Sequence, residues 1–218
     1  GHIFLYHAAI LKIEEYIHQE KLGKIYYLYS KRTNLGPIRP DVNALWDLAP
    51  HDISIFNFLL EEIPAWVSAT ATGFLRDNNE DVGFITLGYP SGVIGHIHVS
   101  WADPHKEREV VVVGSKQRIV FNDVLPGEKV RIFEKGVSTT RKIYSDYGEF
   151  QLSIRDGEII SPTIKLTEPL RAEVEHFIHC VSYKSSPRTD GENGLTVVRI
   201  MEAIDQSIAQ KGCPVYLK

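Results

Sequence analysis

Apolar side chains recur at helical spacing in four segments of the chain. This periodicity predicts one helix in each of four ranges: Ala8–Glu20, about Asp47–Leu60, Glu168–Tyr183 and about Asn193–Gln210. The second helix is apolar on almost every side, which indicates deep burial. Because Pro50 lacks an N–H and suits only a first helical turn, this helix is expected to start near Asp47–Ala49. The third helix carries a regular amphipathic stripe from Leu170 to Val181.

Aromatic and β-branched runs predict the strands, beginning with Ile25–Thr33. After Pro64, similar runs separated by Gly, Pro, Asn and Asp predict a meander of strands: 67–74, 82–88, 93–101, 107–114, 117–121, 130–133 and 141–144. The weakly patterned residues 144–161 predict a long loop, and 214–218 a final short strand. This element order predicts an α+β fold, in which a large open, mostly antiparallel or mixed sheet carries helices on one face.

Composition and charge narrow the class of protein. The chain has 218 residues, of which 43% are hydrophobic and 24% charged, and a formal net charge of −4. These values are typical of a soluble globular protein, and the charge offers no bulk attraction for nucleic acid or an anionic membrane. No segment reaches the roughly 18 consecutive apolar residues of a membrane helix. With two cysteines, a disulfide framework is not expected, which favours a cytoplasmic location.

The segment WDLAPHD contains the strongest candidate for chemistry. Asp47 and His51 are four residues apart, so on a helix their side chains share one face. A histidine titrates near neutral pH and can exchange a proton with a hydroxyl, and a neighbouring carboxylate would orient its ring. In the alternative interpretation, Asp47 is only a helix N-cap and His51 a hydrogen-bonded core residue.

Other polar residues around this segment are weaker candidates for a functional role. Arg32 and Arg39 flank a loop rich in Gly and Pro and could bind a carboxylate or phosphate, whereas Lys31 is interpreted as ordinary solvated charge. Tyr26, Tyr27 and Tyr29 could line a sugar-binding surface or simply pack on the sheet.

Neither of the two close histidine pairs predicts a metal site. His96 and His98 share a strand face, but no Cys or carboxylate at ligand spacing supports a zinc site there. His176 and His179 lie on one helix, but their segment HFIH lacks the glutamate of the metalloprotease motif H-E-x-x-H. The sequence also lacks G-x-G-x-x-G, so nothing in it predicts a dinucleotide cradle.

Three segments taken together resemble a known family. GHIFLYHAAILKIEEYI, the stretch from KLGKIYYLYS through WDLAPHDISIFNFLL, and SSPRTDGENGLTVVRIMEAI follow one another as in the C-terminal half of the Gfo/Idh/MocA oxidoreductases. The resemblance spans essentially the whole chain. It implies that residues 1–218 are a single substrate-binding and oligomerisation domain, and that an N-terminal NAD(P)-binding domain with a catalytic lysine is missing from the chain.

The resemblance also assigns roles to residues. The family's Asp-x-x-x-His motif falls on Asp47 and His51. By this resemblance, His51 would exchange the proton of a substrate hydroxyl, and Asp47 would orient His51 or the sugar hydroxyls. The candidate substrate-binding residues are Arg39, Arg32, Asn43 and His7, the last of which stands where many members have asparagine.

Two functions follow as expectations. In the first, the full-length protein is an NAD- or NADP-dependent dehydrogenase or reductase of a sugar, nucleotide sugar or cyclitol, and the chain alone is inactive and binds the cofactor poorly. Its partners would be a small sugar-like molecule and, through the sheet, further copies of itself. In the second, the chain is a non-catalytic module whose broad sheet serves binding or oligomerisation.

Overall fold

The computed structural model describes residues 1–36, 38–75, 79–138, 153–155, 157–165 and 167–217. Four α-helices and a short 3-10 helix occur in this part of the chain: η1 (Ile3–Tyr6), α1 (Ala8–His18), α2 (Ala44–Leu60), α3 (Pro169–Tyr183) and α4 (Gly191–Ala209). The four predicted α-helices are therefore confirmed, with ends that differ by a few residues. Asp190 is the N-cap of α4, where its side chain accepts a hydrogen bond from the Asn193 N–H.

The strands follow the predicted meander. They are β1 (Ile25–Thr33), β2 (Trp66–Thr72), β3 (Val82–Gly88), β4 (Ile94–Ser100), β5 (Glu107–Gly114), β6 (Arg118–Asn122), β7 (Val130–Phe133), β8 (Gly136–Ser138), β9 (Ser153–Arg155), β10 (Ile159–Ile160) and β11 (Val215–Tyr216). The loop predicted over residues 144–161 is wrong at β9 and β10, which pair with β8 and β7 respectively. The strand predicted at 141–144 lies outside the described residues.

Nine of these strands form one mixed open sheet in the order β10-β7-β6-β5-β1-β4-β3-β2-β11. Within the described residues, β1 and β4 are its parallel neighbours and the other adjacent pairs are antiparallel. The α+β prediction is confirmed. Helices α1, α2 and α4 cover one face through a single apolar core, to which Leu28, Ile85 and Ile97 contribute from the sheet.

The predicted start of α2 near Asp47–Ala49 is wrong. The helix begins at Ala44, and Asn43 is its N-cap, since the Asn43 side chain accepts a hydrogen bond from the Trp46 N–H. Pro50 therefore lies in the second turn rather than the first. Its position removes one main-chain hydrogen bond, and extensive burial of α2 in the core offsets that loss.

Two glycines let α2 approach the sheet closely. A Cβ atom added to Gly83 would lie 2.8 Å from Leu45 side-chain atoms, and one added to Gly95 would lie 2.8 Å from the Phe56 ring. Real Cβ atoms do not approach carbon so closely. The glycines thus set the depth at which α2 lies on β3 and β4, and with it the position of the Asp47–His51 face.

The apolar stripe of α3 is exposed. Its side chains range from 49% to 64% exposed and comprise Leu170, Val174, Phe177, Ile178 and Val181. The helix instead packs against the rest of the protein near η1, where the ring centroids of Tyr6 and His176 lie 5.3 Å apart. No helix in the described ranges combines the length and apolar character that a membrane crossing requires. Cys180 and Cys213 are free thiols.

Candidate active site

A cleft of about 630 Å³ opens where η1, α2 and one end of the sheet meet. Its volume is in the range of small-molecule sites. The residues that line it come from segments far apart in the chain: Ile3, Phe4, His7, Arg32, Asp47, Leu48, His51, Arg108, Asp123, Lys129, Thr167 and Pro169. The structure thus brings together His51, Asp47, Arg32 and His7 of the residues that the sequence singled out.

His51 lines the cleft from the middle of α2. Its Nδ1 atom is buried and has no hydrogen-bond partner among the described residues. The ring packs edge-on against Phe4, with 5.3 Å between ring centroids. Burial, reinforced by the nearby Arg32 guanidinium, lowers the pKa of His51 to about 4. The imidazole is therefore neutral at physiological pH and able to accept a proton.

A buried ion pair lies directly behind His51. Arg32 donates from Nε to Asp52 Oδ2 at 3.0 Å and from Nη2 to Asp52 Oδ1 at 2.8 Å, and both side chains are almost fully buried. The Arg32 guanidinium also stacks over the Phe4 ring at 4.6 Å. Arg32 therefore joins β1, α2 and η1, and its positive charge stands beside the imidazole.

Asp47 is held by two donors other than His51. Its Oδ1 accepts a hydrogen bond from Arg39 Nη1 at 3.0 Å, and its Oδ2 accepts one from the Trp101 indole at 3.3 Å. Asp47 is not the helix N-cap, because that position belongs to Asn43. Its carboxylate is one of the groups whose charge favours the protonated form of His51, although burial outweighs that effect.

Arg39 and Asn43 do not line the cleft. Arg39 binds Asp47 and also Asp41 on the loop before α2. The Asn43 amide donates to Glu80 at 2.9 Å, while its oxygen caps α2. Both residues thus fix the entry to α2, and their contact with a substrate stays a prediction.

One wall of the cleft, at the β5–β6–β7 part of the sheet, is cationic. Asp123, at the end of β6, accepts a hydrogen bond from Lys129 Nζ at 3.1 Å and lies 3.6 Å from both His7 Nε2 and Arg108 Nη1. The His7 ring and the Lys129 ammonium hold the pKa of Asp123 well below its usual range. His7 Nδ1 accepts the Ala9 N–H as the N-cap of α1, so its ring proton stands on Nε2, toward Asp123.

Sequence reasoning missed Phe4, Arg108, Asp123 and Lys129. No motif connects them, because they meet only when η1 lies against the β5–β6–β7 edge of the sheet. The one available signal was local: Asp123 and Lys129 flank a turn between two predicted strands.

The chain matches a family model. Residues 10–120 match the model described as the GFO/IDH/MocA C-terminal domain. No curated protein sequence matches the chain significantly.

Many solved structures share the fold. A putative NADPH-dependent oxidoreductase from Desulfitobacterium hafniense has a TM-score of 0.79 at 18% identity, over 99% of this chain and 63% of its own. Aldose-aldose oxidoreductase from Caulobacter crescentus has a TM-score of 0.76 at 16% identity, over 100% of this chain and 63% of its own. UDP-N-acetylglucosamine 3-dehydrogenase from Acidithiobacillus ferrooxidans has a TM-score of 0.75 at 19% identity, over 96% of this chain and 62% of its own. The chain therefore spans somewhat less than two thirds of the length of these proteins, and at such identities the likeness establishes the fold.

Proposed function

The chain belongs to the GFO/IDH/MocA C-terminal domain family, and from this premise we propose that it is the substrate-binding and acid/base domain of an NAD(P)-dependent oxidoreductase. The substrate would carry a secondary hydroxyl on a sugar, nucleotide sugar or cyclitol. One observation carries the proposal: a neutral His51 lines a cleft of substrate size while its buried Nδ1 has no partner among the described residues. A buried nitrogen without a partner is costly to maintain, so hydrogen bonding within the core does not account for the position of this ring.

The proposed roles follow from the contacts. During oxidation, the substrate hydroxyl gives its proton to His51 as its carbon gives up a hydride, and reduction returns both. Burial and Arg32 keep the imidazole neutral before the step. Asp47 and Asp52 offset the positive charge that His51 acquires, as nearby carboxylates do. Phe4 and Leu48 supply apolar walls that exclude water.

The hydride acceptor or donor of such a reaction is a nicotinamide cofactor. The described part of this chain does not fit a dinucleotide, because its one parallel strand pair, β1 and β4, is not followed by a glycine-rich turn into a helix. We therefore assign the main cofactor contacts to a second domain of the whole protein, the role that the family resemblance gives to an NAD(P)-binding domain. A structurally similar dehydrogenase from Bordetella pertussis is in complex with NADH and UDP-GlcNAcA, which supports a nicotinamide cofactor for the whole protein.

The exposed stripe of α3 is where we place that second domain. The N-terminal residue, Gly1, lies beside the Glu173 side chain of α3. A domain that precedes Gly1 would therefore enter next to this apolar face. The neighbouring proteins are longer than the chain by about the size of such a domain. Burying the stripe would remove an apolar patch that is unusual on a protein surface.

The open face of the sheet supports the second expected function, which is self-association. Helices cover the other face, whereas Tyr27, Phe84 and Ile94 on this face are 39–45% exposed. Phe84 stacks on the His98 ring at 4.5 Å. A nine-stranded face measures on the order of 800 Å² by strand spacing, which is the area per partner of a standard interface. The two functions are compatible.

Charge substitutions should separate these two apolar surfaces. In the 218-residue chain, we expect Phe84→Glu to convert a dimer into a monomer by light scattering, because it places charge on the open face of the sheet. Phe177→Glu on α3 is the matched control and should leave the dimer intact. In the full-length protein, Phe177→Glu should lower the melting temperature more than it does in the chain alone. A wild-type chain that stays monomeric at high concentration would contradict sheet association.

The pH dependence of the reaction tests the role of His51. Because the pKa of His51 is lowered to about 4, the imidazole loses its base form only below that pH. We expect kcat/KM for alcohol oxidation by the full-length protein to show no loss assignable to His51 between pH 7 and 5, and then to fall tenfold per pH unit below about 4. An NMR titration of the His51 ring in the chain gives the same midpoint. A midpoint at the ordinary histidine value of 6.5 or above would contradict the account.

A further inference from the structure

The cleft contains a second chemical feature that proton transfer does not use, namely its cationic wall. Arg32 forms an ion pair with Asp52, and Asp47 forms one with Arg39, so these charges are balanced. On the cationic wall, Arg108 and Lys129 face one carboxylate among the described residues, that of Asp123. The lining of the cleft is thus left with positive charge in excess at this wall.

The two cations are held with different strength. Lys129 Nζ is anchored, since it donates to the Asp123 carbonyl at 2.6 Å as well as to the carboxylate. Arg108 lies 3.6 Å from Asp123, which is too long for a hydrogen bond, and its side chain is 43% exposed. Most of the donors of its planar guanidinium are therefore available for a ligand in the cleft.

From this arrangement we propose that Arg108, with Lys129, binds an anionic substituent of the substrate, a carboxylate or a phosphate. The inference rests on the proposed function, because it names the substrate class of the same cleft. A guanidinium pairs with either anion through two parallel hydrogen bonds, which a neutral hydroxyl cannot match. Asp123 acts as a positioning residue: it holds Lys129 and the His7 Nε2–H on the same wall.

The geometry separates the two ends of a bound sugar. His51 reaches the cleft from α2, and Arg108 reaches it from the start of β5. An anion on Arg108 would place the ring of the sugar between these groups, against Phe4. The cationic wall therefore selects the substrate and orients the hydroxyl that reaches His51.

Binding of three probes to the 218-residue chain tests the proposal: D-glucuronate, D-glucose 6-phosphate and neutral D-glucose, each titrated by calorimetry at low salt. We expect at least one anionic sugar to bind about 10- to 100-fold more tightly than glucose, as expected for charge-assisted hydrogen bonds. A preference for glucuronate identifies a carboxylate substituent, and one for glucose 6-phosphate a phosphate. Added salt should reduce the preference, since the groups are partly exposed.

Substitutions identify the residues that cause the preference for anionic sugars. Arg108→Gln should remove most of the preference for the anion, and Lys129→Gln should reduce it. Arg171→Gln is the matched control, because Arg171 is an exposed arginine of α3 outside the cleft. Circular dichroism confirms that each variant is folded. Equal affinity for glucose and both anions, or an unchanged preference in Arg108→Gln, would overturn the inference. Neither result bears on the acid/base role of His51, which is tested by the reaction rate of the full-length protein.

Discussion

Replacing His51 with alanine should lower kcat of the full-length protein by about 10²- to 10⁴-fold, the usual contribution of a positioned acid or base. The reason is structural. In the variant, no other neutral proton acceptor among the described cleft residues stands on the α2 wall, where Asp47 is already bound to Arg39 and Trp101. KM should change far less than kcat, because His51 contributes mainly to the step in which the proton moves.

The control for this variant is His18→Ala. His18 is an exposed histidine in the last turn of α1, remote from the cleft, so its loss should leave kcat within a factor of two. The melting temperature of both variants shows whether the fold is intact. Activity of His51→Ala within a few-fold of wild type would remove His51 from the reaction.

Replacing Asp52 with alanine should cost about 3–5 kcal/mol of unfolding free energy. Asp52 is 1% exposed, and its carboxylate accepts both hydrogen bonds from Arg32. Without it, a buried guanidinium is left without its counter-charge beneath Phe4. Urea unfolding of the 218-residue chain measures the loss directly as a shift in the midpoint at constant slope.

Asp41→Ala provides the comparison for Asp52. Asp41 makes the same kind of paired contact with Arg39, but both side chains are about half exposed. Exposed ion pairs contribute about 0–1 kcal/mol, so this variant should be nearly as stable as wild type. A loss in Asp52→Ala no larger than in Asp41→Ala would show that the Arg32–Asp52 pair does not hold α2 on the sheet.

Local signals sufficed for most of the fold. Strand β1, for example, was predicted with both ends correct, because its aromatic and β-branched run is bounded by a glycine and a polar loop. The preference of proline for the first turn does not locate the start of α2, because the Asn43 side chain caps the helix and α2 begins at Ala44, six residues before Pro50. Tertiary burial overrode the local cost of the proline.

The site was predictable in part. Spacing alone placed Asp47 and His51 on one face of α2, and the structure puts both in the cleft. It could not show that Arg39 rather than His51 binds Asp47, nor that Arg32 is paired with Asp52 across 20 residues. The cationic wall could not be predicted from the sequence. Side chains on η1, β5 and the β6–β7 turn become neighbours only through the order of strands in the sheet.

Chemical rescue of His51→Ala tests the central claim most directly. The claim is that this domain supplies a neutral imidazole that takes the proton of a substrate hydroxyl. Imidazole added to the folded His51→Ala variant of the full-length protein should restore part of the lost rate, in proportion to the neutral imidazole in solution, and should not accelerate wild type. A folded variant that is impaired but gains no rate from imidazole at any pH would contradict the account.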